Sequence, residues 1–392
     1  MASLPWSKQL ADNLYQRKLA GRYRQQRTRD GEQGVEVVVD GNKLLSFCSN
    51  DYLGLANHPA LKKAFIVAVE QDGVGSGAAH LLTGHSRYHA ELELALADFT
   101  GQQRVLLFSS GYQANLGLID GLMNRGDVII QDKLNHASLL DGGRLSAAEQ
   151  LRYRHADIAA LATRLQQSEH ATNRLIISDG VFSMDGDIAP LPELMSLAKQ
   201  HNTGVMIDDA HGFGVLGKTG RGTVEYCQIS ADDMPIEMGT FGKAFGTSGA
   251  FIAADEVVIE SLIQLARTYV YTTAQPAAIA AATLVSLKLV QDENWRRNKL
   301  QALIAQFRKG ALALGLHLMP SMTAIQPVII GDEKQAIKIG QTLEAKGLLV
   351  GVIRPPTVPE GSARLRITLS ANHSEHHVKQ LLDALEEICT LK

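Results

Sequence analysis

Short continuous apolar runs alternate with amphipathic stretches along most of this chain. The runs fall at residues 105–108, 128–130, 175–177, 205–207, 236–238 and 250–252. Between them apolar positions recur at helical spacing: Leu92, Ala95, Leu96 and Phe99 stand at i, i+3, i+4 and i+7. Strands that lack polar alternation and are separated by helices predict a mostly parallel sheet covered on both faces. Residues 1 to about 30 read as helical and basic, crowded with Arg17, Lys18, Arg22, Arg24, Arg27 and Arg29. Strand-like stretches at 35–39 and 44–47 flank Asp40-Gly41, a hairpin turn signal. Residues 276–290 form an Ala-rich stretch that reads as a buried helix. It carries Thr283, Ser286 and Lys288 and is too short and too polar to span a bilayer. A helix over 293–314 then leads into a smaller α/β unit. That unit has strands at 327–330 and 365–369 and a helix at 334–346. It ends in a helix with Val378, Leu381, Leu382, Leu385 and Ile388 on its apolar face and Ser374 as its cap.

Composition narrows the class. The 392 residues are 45% hydrophobic and 20% charged, ordinary for a globular protein with a core, which excludes disorder and a disulfide scaffold. Lys and Arg number 38 against 41 Asp and Glu, so no global positive field exists to hold nucleic acid. The N-terminus meets Asp12 before any apolar h-region, which argues against a signal peptide. Cys48, Cys227 and Cys389 are scattered and form no CxxC or zinc spacing, which fits a reducing cytoplasm.

In an open parallel sheet, ligands bind beyond the carboxyl ends of the strands. The residues that follow each run are Ser109-Ser110-Gly111-Tyr112, then Asp132, Asn135 and His136, then Asp179 and Ser183 to Asp187, then Asp208, Asp209 and His211, then Thr240 and Lys243. Two motifs fail their context. Gly239 to Lys243 resembles a phosphate loop, but Glu237 and Ala244 break its spacing. Gly73 to Ala78 contains GxGxxA, but a helix precedes it. That stretch reads as a loop whose backbone approaches a ligand or another subunit. His85 with His89, and His373 with His376 and His377, lack acidic partners in zinc register, and solvated histidines are expected there.

A lysine in a Gly-rich turn with Asp-x-x-His upstream suits pyridoxal phosphate. The lysine condenses with the aldehyde, an aspartate pairs with the ring nitrogen, and a histidine can lie against a ring face. The phosphate needs a helix N-terminus, offered by Ser110, Gly111 and Tyr112, and hydroxyls, offered by Thr240, Thr272 and Thr273. A non-enzymatic α/β binding module is the bland alternative.

The chain resembles the α-oxoamine synthases of pyridoxal-phosphate fold type I. The resemblance runs through Ser49-Asn50-Asp51-Tyr52-Leu53-Gly54-Leu55, Asn135-His136-Ala137-Ser138, residues 181–187, Asp208-Asp209-Ala210-His211-Gly212 and Thr240-Phe241-Gly242-Lys243. It implies an N-terminal helix and hairpin segment over 1–50, a large domain with a mostly parallel seven-stranded sheet over 51–290, and a smaller C-terminal α/β domain over 291–392. It also implies a homodimer with shared active sites, in which Tyr271-Thr272-Thr273 reaches the neighbour's phosphate. By the resemblance Lys243 holds the cofactor and transfers protons, Asp208 pairs with the pyridine nitrogen and His136 stacks on the ring. Gly111 and Tyr112 frame the cofactor, Thr240 binds phosphate, and Ser183 and His211 contact the phenolic-oxygen or phosphate side. Arg24, Asn50, Arg354 and Thr357, with His136, would contact substrates. Asp179 receives no role. Ile353-Arg354-Pro355-Pro356-Thr357-Val358-Pro359 resembles the biotin-pathway version of the family. That implies decarboxylating condensation of L-alanine with a pimeloyl thioester of CoA or acyl carrier protein, with Arg354 clamping alanine. Glycine with acetyl-CoA on the same machinery is the alternative.

Overall fold

The computed structural model describes residues 4–390; Met1 to Ser3, Leu391, Lys392 and the side chains of Asp232, Cys389 and Thr390 lie outside the described residues. Two sheets organise them. The opening helix, Ser7–Leu19, buries none of its side chains and ends well before residue 30. Gly21, at φ 65°, turns the chain away, and no apolar stripe exists to draw the following arginines into a packed helix. Strand β1 (Arg29–Asp30) then precedes the hairpin of β2 (Glu36–Val39) and β3 (Asn42–Phe47). Asp40 and Gly41 adopt φ 50° and 79°, the left-handed pair that a two-residue hairpin turn requires.

The seven-stranded sheet is built from β4 (Arg104–Phe108), β5 (Val128–Asp132), β6 (Glu149–Tyr153), β7 (Arg174–Asp179), β8 (Gly204–Asp208), β9 (Ile236–Thr240) and β10 (Ala250–Ala254). Its order is β4-β10-β9-β8-β7-β5-β6, and only the two pairings of β10 are antiparallel. Six of the strands coincide with the apolar runs. The seventh, β6, is Glu-Gln-Leu-Arg-Tyr at the sheet edge with only Tyr153 buried, so it offers no apolar run; edge strands favour such polar sequences. Helices cover both faces, and the Ala-rich helix Ala277–Asp292 is buried as expected.

The second sheet adds β11 (Ile325–Gly331), β12 (Leu348–Ile353) and β13 (Ala363–Thr368) in the order β1-β2-β3-β12-β13-β11. Segments 1–50 and 291–392 therefore share one sheet, joined by parallel pairing of β3 with β12 through Leu45 and Leu348. The pattern reading did not mark β12, whose apolar run Gly351 interrupts. Ser374 caps the last helix, its Oγ accepting the His377 N–H at 3.1 Å. Among the described residues no helix is long and apolar enough to cross a membrane.

The histidines expected in solvent are largely inside. His89 is buried and closes the capping box of the helix Arg87–Thr100, while its Nε2 lies 3.0 Å from the Gln275 carbonyl oxygen. His373 is buried and stacks on Phe47 with ring centroids 4.4 Å apart. Of His85, His89, His373, His376 and His377, only His376 is exposed. Neutral imidazole carries a donor and an acceptor that local backbone can satisfy, so burial is affordable, and it depresses both His89 and His373 to about 4.

Candidate active site

Beyond the carboxyl ends of β5, β7, β8 and β9 lies a cavity of about 220 Å³. All eight residues expected to meet the cofactor line it: Gly111, Tyr112, His136, Ser183, Asp208, His211, Thr240 and Lys243. They converge because each ends or follows a strand of the large sheet, and parallel strands end on one side.

Asp208 is the last residue of β8. Its Oδ1 accepts the Ala210 N–H at 3.0 Å and its Oδ2 accepts the Asn115 amide at 2.7 Å. The same Asn115 nitrogen donates to Ser138 Oγ at 2.8 Å. Asn115 was not foreseen; the available signal was an amide one turn beyond Gly111, flanked by Ala114, Leu116 and Leu118. Lys243 sits in the turn between β9 and β10. The protein packed around its amine lowers its pKa to about 8, and the Asp208 carboxylate partly opposes that. Gly246 makes the turn possible. Its φ is 65°, and a Cβ there would meet the Ala56 nitrogen at 2.3 Å.

His136 caps the helix Ala137–Leu145. Its Nδ1 accepts the Ser138 N–H at 3.3 Å, and burial lowers its pKa. The neutral ring therefore carries its proton on Nε2. Asp179 now has a place. Its Oδ2 accepts the His136 N–H at 2.9 Å, which anchors the backbone that carries the imidazole. Burial and the neighbouring Asp208 push Asp179 well above the usual carboxylate range.

The opposite wall joins the second sheet. Tyr52 Oη lies 2.6 Å from His211 Nδ1 and donates to Asn50 Oδ1 at 3.3 Å. Arg366 donates to the same Asn50 oxygen from both terminal nitrogens at 3.3 Å, and from Nε to the Ser183 carbonyl at 2.7 Å. Buried Arg366 escaped the sequence reading, although two arginines alternating with Leu365 and Ile367 on one strand were a visible signal. Asn50 thus reaches the site through Tyr52 and Arg366 without lining the cavity. Arg24, Arg354 and Thr357 do not line it either; Arg24 and Thr357 are exposed and Arg354 is half-buried. An ion pair of 3.6 Å from Arg22 to Glu360 brings the basic N-terminal segment beside the loop that holds Arg354 and Thr357.

The residues fit pyridoxal phosphate. Gly111 and Tyr112 open a helix whose first-turn N–H groups have no intrahelical partner, with Ser110 as the cap. A carboxylate, an amine and a neutral imidazole converge opposite it, and Asn115 Oδ1 is buried without a hydrogen-bond partner.

Residues 42–385 match the model of the aminotransferase class I and II family. An 8-amino-7-oxononanoate synthase from Nitrosococcus oceani is 57% identical over 96% of this chain and 99% of its own. A serine palmitoyltransferase from S. paucimobilis, solved with a bound PLP–myriocin aldimine, is similar at a TM-score of 0.93 and 30% identity, covering all of both chains. The 8-amino-7-oxononanoate synthase of Francisella tularensis gives a TM-score of 0.78 at 32% identity, over 89% of this chain and 98% of that one. The ordered strand-end motifs, the cavity they form and these likenesses over nearly the whole length agree: the chain belongs to the aminotransferase class I and II family and, within it, to the 8-amino-7-oxononanoate synthases.

Proposed function

We propose that this chain condenses L-alanine with a pimeloyl thioester, releasing CO2 and the free carrier thiol and forming 8-amino-7-oxononanoate for biotin synthesis. The observation that carries the reading is the convergence of Lys243, Asp208, His136 and the Gly111 helix start on one cavity. Pyridoxal phosphate, when bound, supplies an aldehyde that condenses with amines and a ring that takes up the electron pair released beside it. Lys243 would hold it, Asp208 would keep its ring nitrogen protonated, and Gly111, Tyr112 and Thr240 would take the phosphate. His136, Ser183 and His211 would frame the ring.

The residues of the chain then divide the work. Lys243 Nζ takes the α-proton of alanine and returns one after CO2 has left. Its depressed pKa suits that exchange near neutral pH. His136 Nε2–H donates to the oxygen of the attacked thioester carbonyl as charge grows there. Arg366 donates to the carbonyl of cavity-lining Ser183 and to Asn50, which makes it the guanidinium best placed for the carboxylate of alanine. Arg354, Thr357 and Arg24 gather by the Arg22–Glu360 pair and suit the anionic acyl thioester. Arg366→Lys keeps the charge and loses the planar fork, so the KM for alanine rises at least tenfold, on the scale of about 1.4 kcal/mol. An unchanged KM in that variant removes Arg366 from the role.

Mass detection of the product from alanine and pimeloyl-CoA tests the reaction directly. Turnover of glycine with acetyl-CoA in its place would assign the chain to the other chemistry. Assembly as a homodimer with shared sites belongs to this reading, as does a cytoplasmic location, which the free thiols Cys48 and Cys227 suit.

A further inference from the structure

Behind the cavity, one imidazole stands between two carboxylates. His155 lies just past β6. Its Nδ1 is 3.1 Å from Asp132 Oδ1 and 3.2 Å from Oδ2, and its Nε2 is 2.8 Å from Asp187 Oδ2. Carboxylates only accept, so both ring nitrogens donate and the ring is an imidazolium. Burial opposes that charge, but the hydrogen bonds to Asp132 and Asp187 outweigh it and lift the group to about 10. The Phe182 ring packs edge-on against it at 4.4 Å.

The two acids belong to different loops of the site. Asp132 ends β5, accepts the Leu134 N–H at 2.8 Å and starts the stretch that reaches His136. Asp187 closes the loop that bears Ser183, its carbonyl accepting the Phe182 N–H at 3.0 Å. Asp132 also accepts the Ala156 N–H at 2.8 Å, and Ala156 sits at φ 51°, a conformation that a Cβ disfavours. Strain beside a functional loop marks a backbone that its surroundings over-determine. From the other side, Arg364 pairs with Asp185 and Arg366 holds the Ser183 carbonyl.

We propose that His155 is a positioning residue for the reaction: its ring clamps the loop of His136 to the loop of Ser183 and so sets the width of the cofactor cavity. This rests on the cofactor reading given above. Ligand atoms of His155, Asp185 and Asp187 lie within 4.8 Å of one another, as a metal site would also have them. However, Arg364 already neutralises Asp185, and Asp132 takes the second nitrogen of His155. Side chains thus supply the charge that the acids need.

The test compares holoenzyme of wild type, His155→Gln and Asp187→Asn. Far-UV circular dichroism reports folding, the visible band of bound pyridoxal phosphate reports its orientation, and titration of cofactor-free protein gives its Kd. Both variants are expected to fold, to lose at least half of the visible band and to bind pyridoxal phosphate about tenfold more weakly, the size of one lost charged hydrogen bond. The double variant H155Q/D187N, which removes the cation together with one partner acid, should recover part of the band. If H155Q does not fold, D187N alone decides. A variant that melts earlier yet keeps the wild-type band and Kd would mean that His155 only stabilises the fold, and the proposal falls. Chelator sensitivity of the wild-type band, reversed by Zn2+, would assign the cluster to a metal and also overturn it. Nitrogen NMR of labelled histidine in cofactor-free protein separates the two readings. Two protonated ring nitrogens on His155 at pH 8 support the clamp even if the wild type binds no pyridoxal phosphate, an outcome that would sink only the cofactor assignment.

Discussion

Lys243 shows how one side chain is tuned by what surrounds it. Taking the amine out of water disfavours its charged form, and its pKa falls to about 8. The free amine therefore prevails above pH 8, where an ordinary lysine stays protonated until about pH 10.4. The rate at which cofactor-free protein takes up pyridoxal phosphate, followed by visible absorbance, should rise with pH and level off just above 8. A plateau reached only near pH 10 would contradict the lowered value. Asp208 favours the ammonium, so Asp208→Asn should move the midpoint lower still. The same substitution would remove the proposed partner of the ring nitrogen. Turnover should fall by two orders of magnitude or more, in line with ~3 kcal/mol for an unpaired buried charge. A variant within twofold of wild type in α-proton exchange of alanine would leave Asp208 a structural role only. Position after an apolar run, with the Gly-rich turn around Lys243 and the Asp-x-x-His spacing from Asp208 to His211, exposed both residues in the sequence. Arg366 and Asn115 stayed hidden because what makes them site residues is partners on other elements: Asn50, Ser183 and Asp208.

Among the elements, those with strong local periodicity were legible and those shaped by neighbours were not. The helix Glu333–Ala345 and the terminal helix fall within a few residues of their predicted spans, because each buries one regular apolar stripe. The edge strand β6 has no such stripe, and its pairing with β5 sets its conformation. Its exit carries a testable strain. Ala156 at φ 51° bears a Cβ where glycine has none. Ala156→Gly should raise stability by up to ~1 kcal/mol, seen as a higher melting temperature, while Ala156→Val should lower it by more. A lower melting temperature for the glycine variant would show that the strain is absent.

At the scale of the whole molecule, Phe65, Ile66 and Val67 leave an apolar band exposed on the helix Pro59–Asp72. Contiguous exposed apolar surface marks an interface. Sedimentation at micromolar concentration should give twice the chain mass, and Ile66→Glu should shift the protein toward monomer and lower its activity. An active wild-type monomer would contradict the shared-site assembly. The alternation of buried strands with helices already stood in the sequence, as did the hairpin turn, the terminal helix and the polar residues that close each parallel strand. Each of these is a local pattern, and burial on a regular element repeats with the period of that element. Only the tertiary structure decided that β3 pairs with β12, that buried His89 and His373 leave solvent, and that Asp179 meets the His136 backbone, Arg366 the Ser183 carbonyl, and His155 both Asp132 and Asp187. Their partners lie far along the chain, and a buried polar group is stable only where folding delivers the matching donor or acceptor.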